Sequence, residues 1–180
     1  MGAMKLSFPG RLSVSKAFVA NEIVPDVESQ APKKLVTVEY AGGLCAKLGN
    51  ELAPQNLTNA PKLWWDADKR KKYTVAMTDP DAPSREDPNI REWLHWLIVN
   101  VPGTDLAQGD ELIDYMGPAP PQGTGFHRYT FLVYAQKEGT LVNVSQTPAE
   151  RASFHTREFA KEINAGPPLA GNFFNAQYDG

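Results

Sequence analysis

Trp93-Leu94-His95-Trp96-Leu97-Ile98-Val99-Asn100-Val101 is a run of aromatic and aliphatic residues broken by two polar ones. Such side chains fit a pleated, half-buried surface, so the run reads as a β-strand. Phe126 to Gln136 repeats the pattern, with His127 and Tyr129 near its start. Side chains alternate between the two faces of a strand. On that rule Trp93, His95, Leu97 and Val99 share one face of the first strand, and His127, Tyr129, Phe131 and Val133 one face of the second. Each histidine then stands at the end of an apolar stripe. It needs a partner there, because a buried unsatisfied polar group costs about 1–3 kcal/mol. Taken singly, such a histidine is most often a satisfied structural residue.

Working outward, Gly117-Pro118-Ala119-Pro120-Pro121-Gln122-Gly123-Thr124-Gly125 separates the two runs, and its proline and glycine keep it out of regular structure. Upstream, Tyr73 to Thr78 reads as a third strand. It stops at Asp79-Pro80-Asp81-Ala82-Pro83-Ser84, where proline removes ladder donors. Leu35 to Tyr40 alternates and ends at Gly42-Gly43, the pattern of a strand and a turn. Helical signals come late. Thr147-Pro148-Ala149-Glu150 has the form of a capping box. Thr156 is placed to cap a second segment, with Phe159 and Ile163 one turn apart and Gly166 ending it. Strands first and helices later predict a mainly β (α+β) domain with a packed sheet core.

If the three strands pair, Asp79, His95 and His127 meet at one rim of the sheet. Two imidazoles held by a carboxylate, beside glycine-loop N–H groups, suit an anion. Asp81, in the same loop, reads as a brace for the proline turn or a partner for Arg85. The same three residue types also compose a two-His-one-carboxylate metal site or an acid–base pair, so a metal-dependent or acid–base hydrolase using Asp79, His95 and His127 is the alternative. Spacing weighs against it, since the chain contains neither His-Glu-x-x-His nor Gly-x-Ser-x-Gly.

The whole chain sets outer bounds. Its 180 residues fit one domain. We expect residues 1–3 to be an expression-tag remnant, with Met4 a second start, and 4–180 the domain. Fifteen Pro and fourteen Gly, spread along the chain, suggest many turns between short strands. At a net charge of −3 nothing favours nucleic acid, whose binding needs a concentrated basic surface. Lys69-Arg70-Lys71-Lys72 reads as a solvated loop, with contact to acidic lipid or a partner the minority reading. Cys45 is the single cysteine, so there is no internal disulfide, and its apolar neighbours point to packing. No apolar run reaches the roughly 18 residues of a membrane span, leaving at most peripheral membrane contact. Pro9, Gly10, Arg11 and Lys16 interrupt any signal-peptide core, and Leu6 stands where a myristoylation signal has Ser or Thr. We therefore expect a cytoplasmic monomer, with secretion left open because a tag remnant stands where a native leader would have been cut away. The sequons at Asn56 and Asn143 matter only if the protein is secreted.

Asp79-Pro80-Asp81-Ala82-Pro83-Ser84-Arg85, then Arg91-Glu92-Trp93-Leu94-His95-Trp96, then Gly125-Phe126-His127-Arg128-Tyr129 resemble the signature segments of the phosphatidylethanolamine-binding family, which includes Raf kinase inhibitory proteins. Gly49-Asn50-Glu51-Leu52-Ala53-Pro54 and Ala170-Gly171-Asn172-Phe173-Phe174 extend the resemblance over nearly the whole chain. It implies a β-sandwich-like fold with a few peripheral helices and a small pocket for phosphate-like anions and phospholipid headgroups. It implies no cofactor and no catalysis, and a regulatory role toward a protein kinase or a serine protease. Carried over by motif, the pocket is Asp79, His95, His127 and Tyr129, walled by Pro83, Trp93, Ala119 and Pro121. Cis peptide bonds are implied at Ala82-Pro83 and Arg91-Glu92. Two departures stand out against animal members. Ala119 replaces a usual Gly, and the C-terminal helix that usually follows the 176–179 segment has no counterpart before Gly180.

Overall fold

The computed structural model describes residues 13–180; the tag remnant, the second start at Met4 and Leu6 lie outside the described residues. Ser13 accepts a hydrogen bond from the Lys16 N–H at 3.1 Å and caps α1 (Val14–Ala20). After it come α2 (Ile23–Asp26), β1 (Lys34–Leu35), β2 (Thr37–Tyr40), β3 (Leu44–Cys45), β4 (Lys62–Trp64), β5 (Lys72–Asp79), β6 (Trp93–Pro102), β7 (Asp110–Ile113), β8 (His127–Ala135), α3 (Thr156–Glu162) and β9 (Ala170–Ala176). The fold is mainly β, with a six-stranded sheet ordered β1-β9-β8-β5-β6-β7 facing a three-stranded sheet ordered β3-β2-β4.

Burial explains the layers. Tyr73, Val75, Met77, Trp96, Ile98, Phe131, Val133 and Phe174 of the large sheet pack against Val38, Tyr40 and Leu63 of the small one and against Val36 and Trp65, which flank its strands. The outer face of the large sheet is covered by helices. Ala17 and Phe18 of α1 lie on Leu132, Tyr134 and Phe173, while Phe159 and Ile163 pack over Ala76, Leu97 and Val99. Each large apolar side chain sealed this way contributes roughly 1.5–3 kcal/mol. β5, buried on both faces, sits between β6 and β8. Its end therefore lies beside the starts of both histidine-bearing strands.

Several expectations are corrected. Leu35 to Tyr40 is not one strand: Leu35 pairs with β9 of the large sheet, and Thr37 begins the small sheet. Asn172 makes the crossover stable, its amide donating to the carbonyls of Val36 at 2.8 Å and Ala46 at 3.0 Å. No helix follows Thr147. Residues 151–154 are drawn onto β6 instead, with the Leu94 N–H donating to the Arg151 carbonyl at 2.8 Å and the Phe154 N–H to Glu92 at 3.0 Å. Those backbone groups are then spent, and the capping box forms earlier, between Asn143 and Gln146. Thr156 is the first residue of α3, not its cap; His155 holds that position, and the helix ends at Glu162, before Gly166. The order is also reversed at the start, since α1 and α2 precede every strand.

The face assignment of β6 fails at His95. Met77 pairs with Trp96 and Thr78 with Leu94, so His95 is the extra residue of a β-bulge. Trp96 and Ile98 then face the small sheet, and Leu97 and Val99 face α3. His95 is carried to the inner side, its ring set edge-to-face on Tyr129 with ring centroids 5.2 Å apart. β8 keeps the expected alternation, with Tyr129, Phe131 and Val133 in the inner core.

Candidate functional site

The rim where β5 ends and β6 and β8 begin holds a cavity of about 210 Å³. Asp79, Pro83, Trp93, His95, Ala119, Pro121, His127 and Tyr129 all line it. Ala82, Ile90 and Met116 also line it and were not singled out in the sequence. Ala82 sits inside the quoted Asp79 motif; nothing local marks Ile90 or Met116. The peptide bonds Ala82-Pro83 and Arg91-Glu92 are cis, as is Val24-Pro25. The 117–125 segment has no regular structure. It starts at Gly117, where a Cβ would sit 2.8 Å from the Leu57 carbonyl, so only glycine lets the chain pass.

Asp79 holds one histidine, not two. Its Oδ2 accepts from His127 Nδ1 at 2.7 Å, and its Oδ1 accepts from the Asp81 N–H at 2.7 Å. On the other side of the ring, His127 Nε2 lies 2.8 Å from the Thr124 hydroxyl, which donates to the Pro121 carbonyl at 2.7 Å. The single Thr124 hydrogen has two acceptors in reach, the Pro121 carbonyl and His127 Nε2, while Nδ1 gives its hydrogen to Asp79. His127 stacks on Tyr129 at 14° between planes, and Tyr129 stacks on Phe174 at 20°.

His95 is oriented by the backbone. Its Nδ1 lies 2.6 Å from the Met116 carbonyl, and the Met116 N–H donates back to the His95 carbonyl at 2.9 Å. A carbonyl only accepts, so Nδ1 carries the ring hydrogen. Nε2 has no protein partner among the described residues. Burial drives the His95 pKa below its ordinary value, with Arg151 and His127 adding to the effect against Asp79 and the Met116 carbonyl. Burial also raises the Tyr129 pKa far above the usual range, with Asp79 and Asp81 adding to it, so the phenol keeps its hydrogen.

Asp81 does not pair with Arg85, which reaches Glu22 at 2.7 Å instead. Asp81 is fully buried and its Oδ2 accepts from Arg128 Nε and from the Arg128 backbone N–H, both at 2.9 Å. Arg128 Nη2 donates to Asp81 Oδ1 at 2.6 Å and to Asp26 Oδ2 at 2.8 Å. Burial alone would raise the Asp81 pKa, but the hydrogen bonds and charge of Arg128 outweigh it and hold it low. The pair fixes the Asp79 loop to β8 and to α2, and Asp81 does not line the cavity.

Among the described residues, no three His, Cys, Asp or Glu side chains are placed to hold a metal ion. No described helix is long and apolar enough to cross a membrane.

The sequence profile described as Phosphatidylethanolamine-binding protein matches residues 32–174. "Putative odorant-binding protein A5" of Drosophila melanogaster is 36% identical over 162 residues, covering 88% of this chain and 77% of that protein. The "26 kDa secreted antigen" of Toxocara canis is 37% identical over 164 residues, 89% of this chain, but this match spans only 63% of the antigen's own length. Among solved structures, a carboxypeptidase Y inhibitor complexed with its cognate proteinase superposes with a TM-score of 0.83 at 27% identity, over 94% of this chain and 98% of the other.

Proposed function

The chain belongs to the phosphatidylethanolamine-binding protein family, and from that premise we propose that it is a non-enzymatic binding protein whose rim cavity takes phosphate-like anions and phospholipid headgroups without a metal. The observation that carries this reading is the closure of His127 between Asp79 and Thr124, beside the unpartnered Nε2 of His95 and the Tyr129 phenol. Asp79 is engaged by His127 and the Asp81 N–H, which leaves it poorly placed as a general base.

Modulation of a protein partner, a kinase or a serine protease, belongs to the same proposal. The protease arm has the support of a relative that is itself an inhibitor solved with its cognate proteinase. A cytoplasmic location is proposed with it, and secretion is the alternative that the Toxocara canis antigen keeps in view.

Calorimetry with phosphorylethanolamine tests the site. Wild-type protein should bind it. His127→Ala, which removes a wall of the cavity and leaves Asp79 without its partner, should weaken binding at least about tenfold, or ~1.4 kcal/mol. Unchanged affinity in the variant would show that the ligand sits elsewhere.

A further inference from the structure

A second cavity, of about 240 Å³, lies on the outer side of the large sheet and shares no lining residue with the rim. Arg157, Ala160 and Lys161 line it from α3, Glu28, Ser29 and Gln30 from the segment after α2, and residues 165–167 from the turn after α3. Glu28 is closed off inside it. Its side chain is buried and accepts from the Tyr134 hydroxyl and from the Ser29 N–H at 3.1 Å. Ser29 is exposed, and its hydroxyl has no protein partner among the described residues. Residues 29–31 make no backbone–backbone hydrogen bond among the described residues. An enzyme can therefore draw Ser29 out without breaking a ladder.

The charges around Ser29 are out of balance. Arg157 and Lys161 stand one turn apart on α3 and share one surface carboxylate, Glu158, at 3.4 Å and 3.2 Å. Their side chains are 45% and 66% exposed, and pairs that exposed contribute little. Both cations also act on the charge of Glu28, which places them over the same cavity. Burial pushes the Glu28 carboxyl up in pKa, so it offers them a weak counter-charge. The arrangement suits an anion stronger than Glu158, and a phosphate set opposite such cations forms charge-assisted hydrogen bonds.

We propose that Ser29 is a phosphorylation site and that this cavity is the receptor for its phosphate, with Arg157 and Lys161 taking the oxygens and clamping the segment after α2 onto α3. The proposal does not depend on the rim cavity. A protein kinase supplies the step: Ser29 Oγ bonds to the γ-phosphorus of ATP as the bond to the β-phosphate oxygen breaks. The hydroxyl proton goes to the kinase's base, and ADP leaves. Asp26 and Glu28, three residues and one residue ahead of Ser29, make it a target for a kinase that reads acidic residues upstream.

The whole chain carrying phosphoserine at position 29 tests the receptor without any kinase. Against the unmodified chain its melting temperature should rise by at least about 2 °C. Arg157→Gln with Lys161→Gln should abolish that gain, and both side chains are exposed enough for the double variant to fold. Phosphorus NMR gives a readout that general stability does not move. The charged groups facing the phosphate are Arg157, Lys161 and Glu158 of α3 and Glu28 beneath it, while Tyr134 of β8 keeps its hydrogen. The second phosphate pKa, about 6 when unperturbed, should therefore be lower by at least about half a unit with the two cations present than without them. Incubation of the unmodified chain with ATP and an acid-directed serine kinase should place phosphate on Ser29 by mass spectrometry. A folded chain that takes no phosphate there, or a phosphoserine whose pKa and melting temperature ignore Arg157 and Lys161, would overturn the proposal.

Discussion

Arg128→Ala should cost about 3–5 kcal/mol of folding stability, the range for breaking a buried ion pair from one side. Arg128 is 1% exposed and Asp81 0% exposed, so truncation leaves a carboxylate with no water to replace its partner. The loss is compounded because the guanidinium also donates to the Asn21 carbonyl at 2.7 Å and to Asp26. At this chain length each kcal/mol lowers the melting temperature by roughly 2–4 °C, so the variant should melt roughly 6–20 °C below wild type. Neither residue lines the cavity, so binding by the folded variant should survive better than stability does. Acid should reproduce part of the loss. Arg128 holds the Asp81 pKa below its ordinary value, so the stabilisation is present above the unfolded value near 3.8 and disappears as pH falls below it. Urea denaturation at pH 7 and pH 3 reads both effects. A loss under about 1 kcal/mol at pH 7 would mean that water, or Arg91, whose Nη2 lies 3.5 Å from Asp81 Oδ1, takes over the pairing.

Glu92 gives the second large effect, with the opposite sign. It is 2% exposed, and its carboxylate accepts from the Thr156 hydroxyl and from the Thr156 N–H at 3.2 Å. Burial pushes its pKa up to about 7 from 4.5, against the lowering influence of Thr156 and Thr78 and with help from Glu28. The folded protein therefore holds a proton that the unfolded chain has given up. The stabilisation is complete below pH 4.5 and is lost as pH rises to about 7, a swing of ~3 kcal/mol. Glu28, raised by burial beside Tyr134, works in the same direction, and His95 works against them on the acid side of its ordinary value. Comparison with Glu92→Gln isolates the one group. Between pH 4.5 and pH 8 the stability difference should move in favour of Gln by ~3 kcal/mol. A difference that stays constant with pH would show Glu92 ionised throughout.

What could be read before the structure was whatever depends on local pattern. The β5, β6 and β8 runs are dense in β-branched and aromatic residues, and their partners sit in the same sheet, so propensity and packing agree there. The proline and glycine of 117–125 are equally direct. What escaped depends on partners far along the chain. The bulge at His95 appears only when β5 is laid beside β6, and no residue type marks it. The switch of sheets after Leu35 rests on Asn172, 136 residues from Val36. Asp81 finds Arg128 47 residues away while Arg85 lies four away, because the loop folds back toward β8 and carries Arg85 toward Glu22. The seven-residue α1 is held by Phe18 under the large sheet, and its apolar face is too short to stand out from sequence. For the candidate site, side-chain identities were legible from motif. The partner of His95 was not, because it is a backbone carbonyl.

A crystal structure with phosphorylethanolamine tests the central claim most directly. The account predicts its phosphate in the rim cavity, with oxygens at about 2.6–3.2 Å from the Tyr129 hydroxyl and His95 Nε2, and His127 still bonded to Asp79. A phosphate bound instead at Lys69-Arg70-Lys71-Lys72, with the rim cavity holding only water, would contradict it.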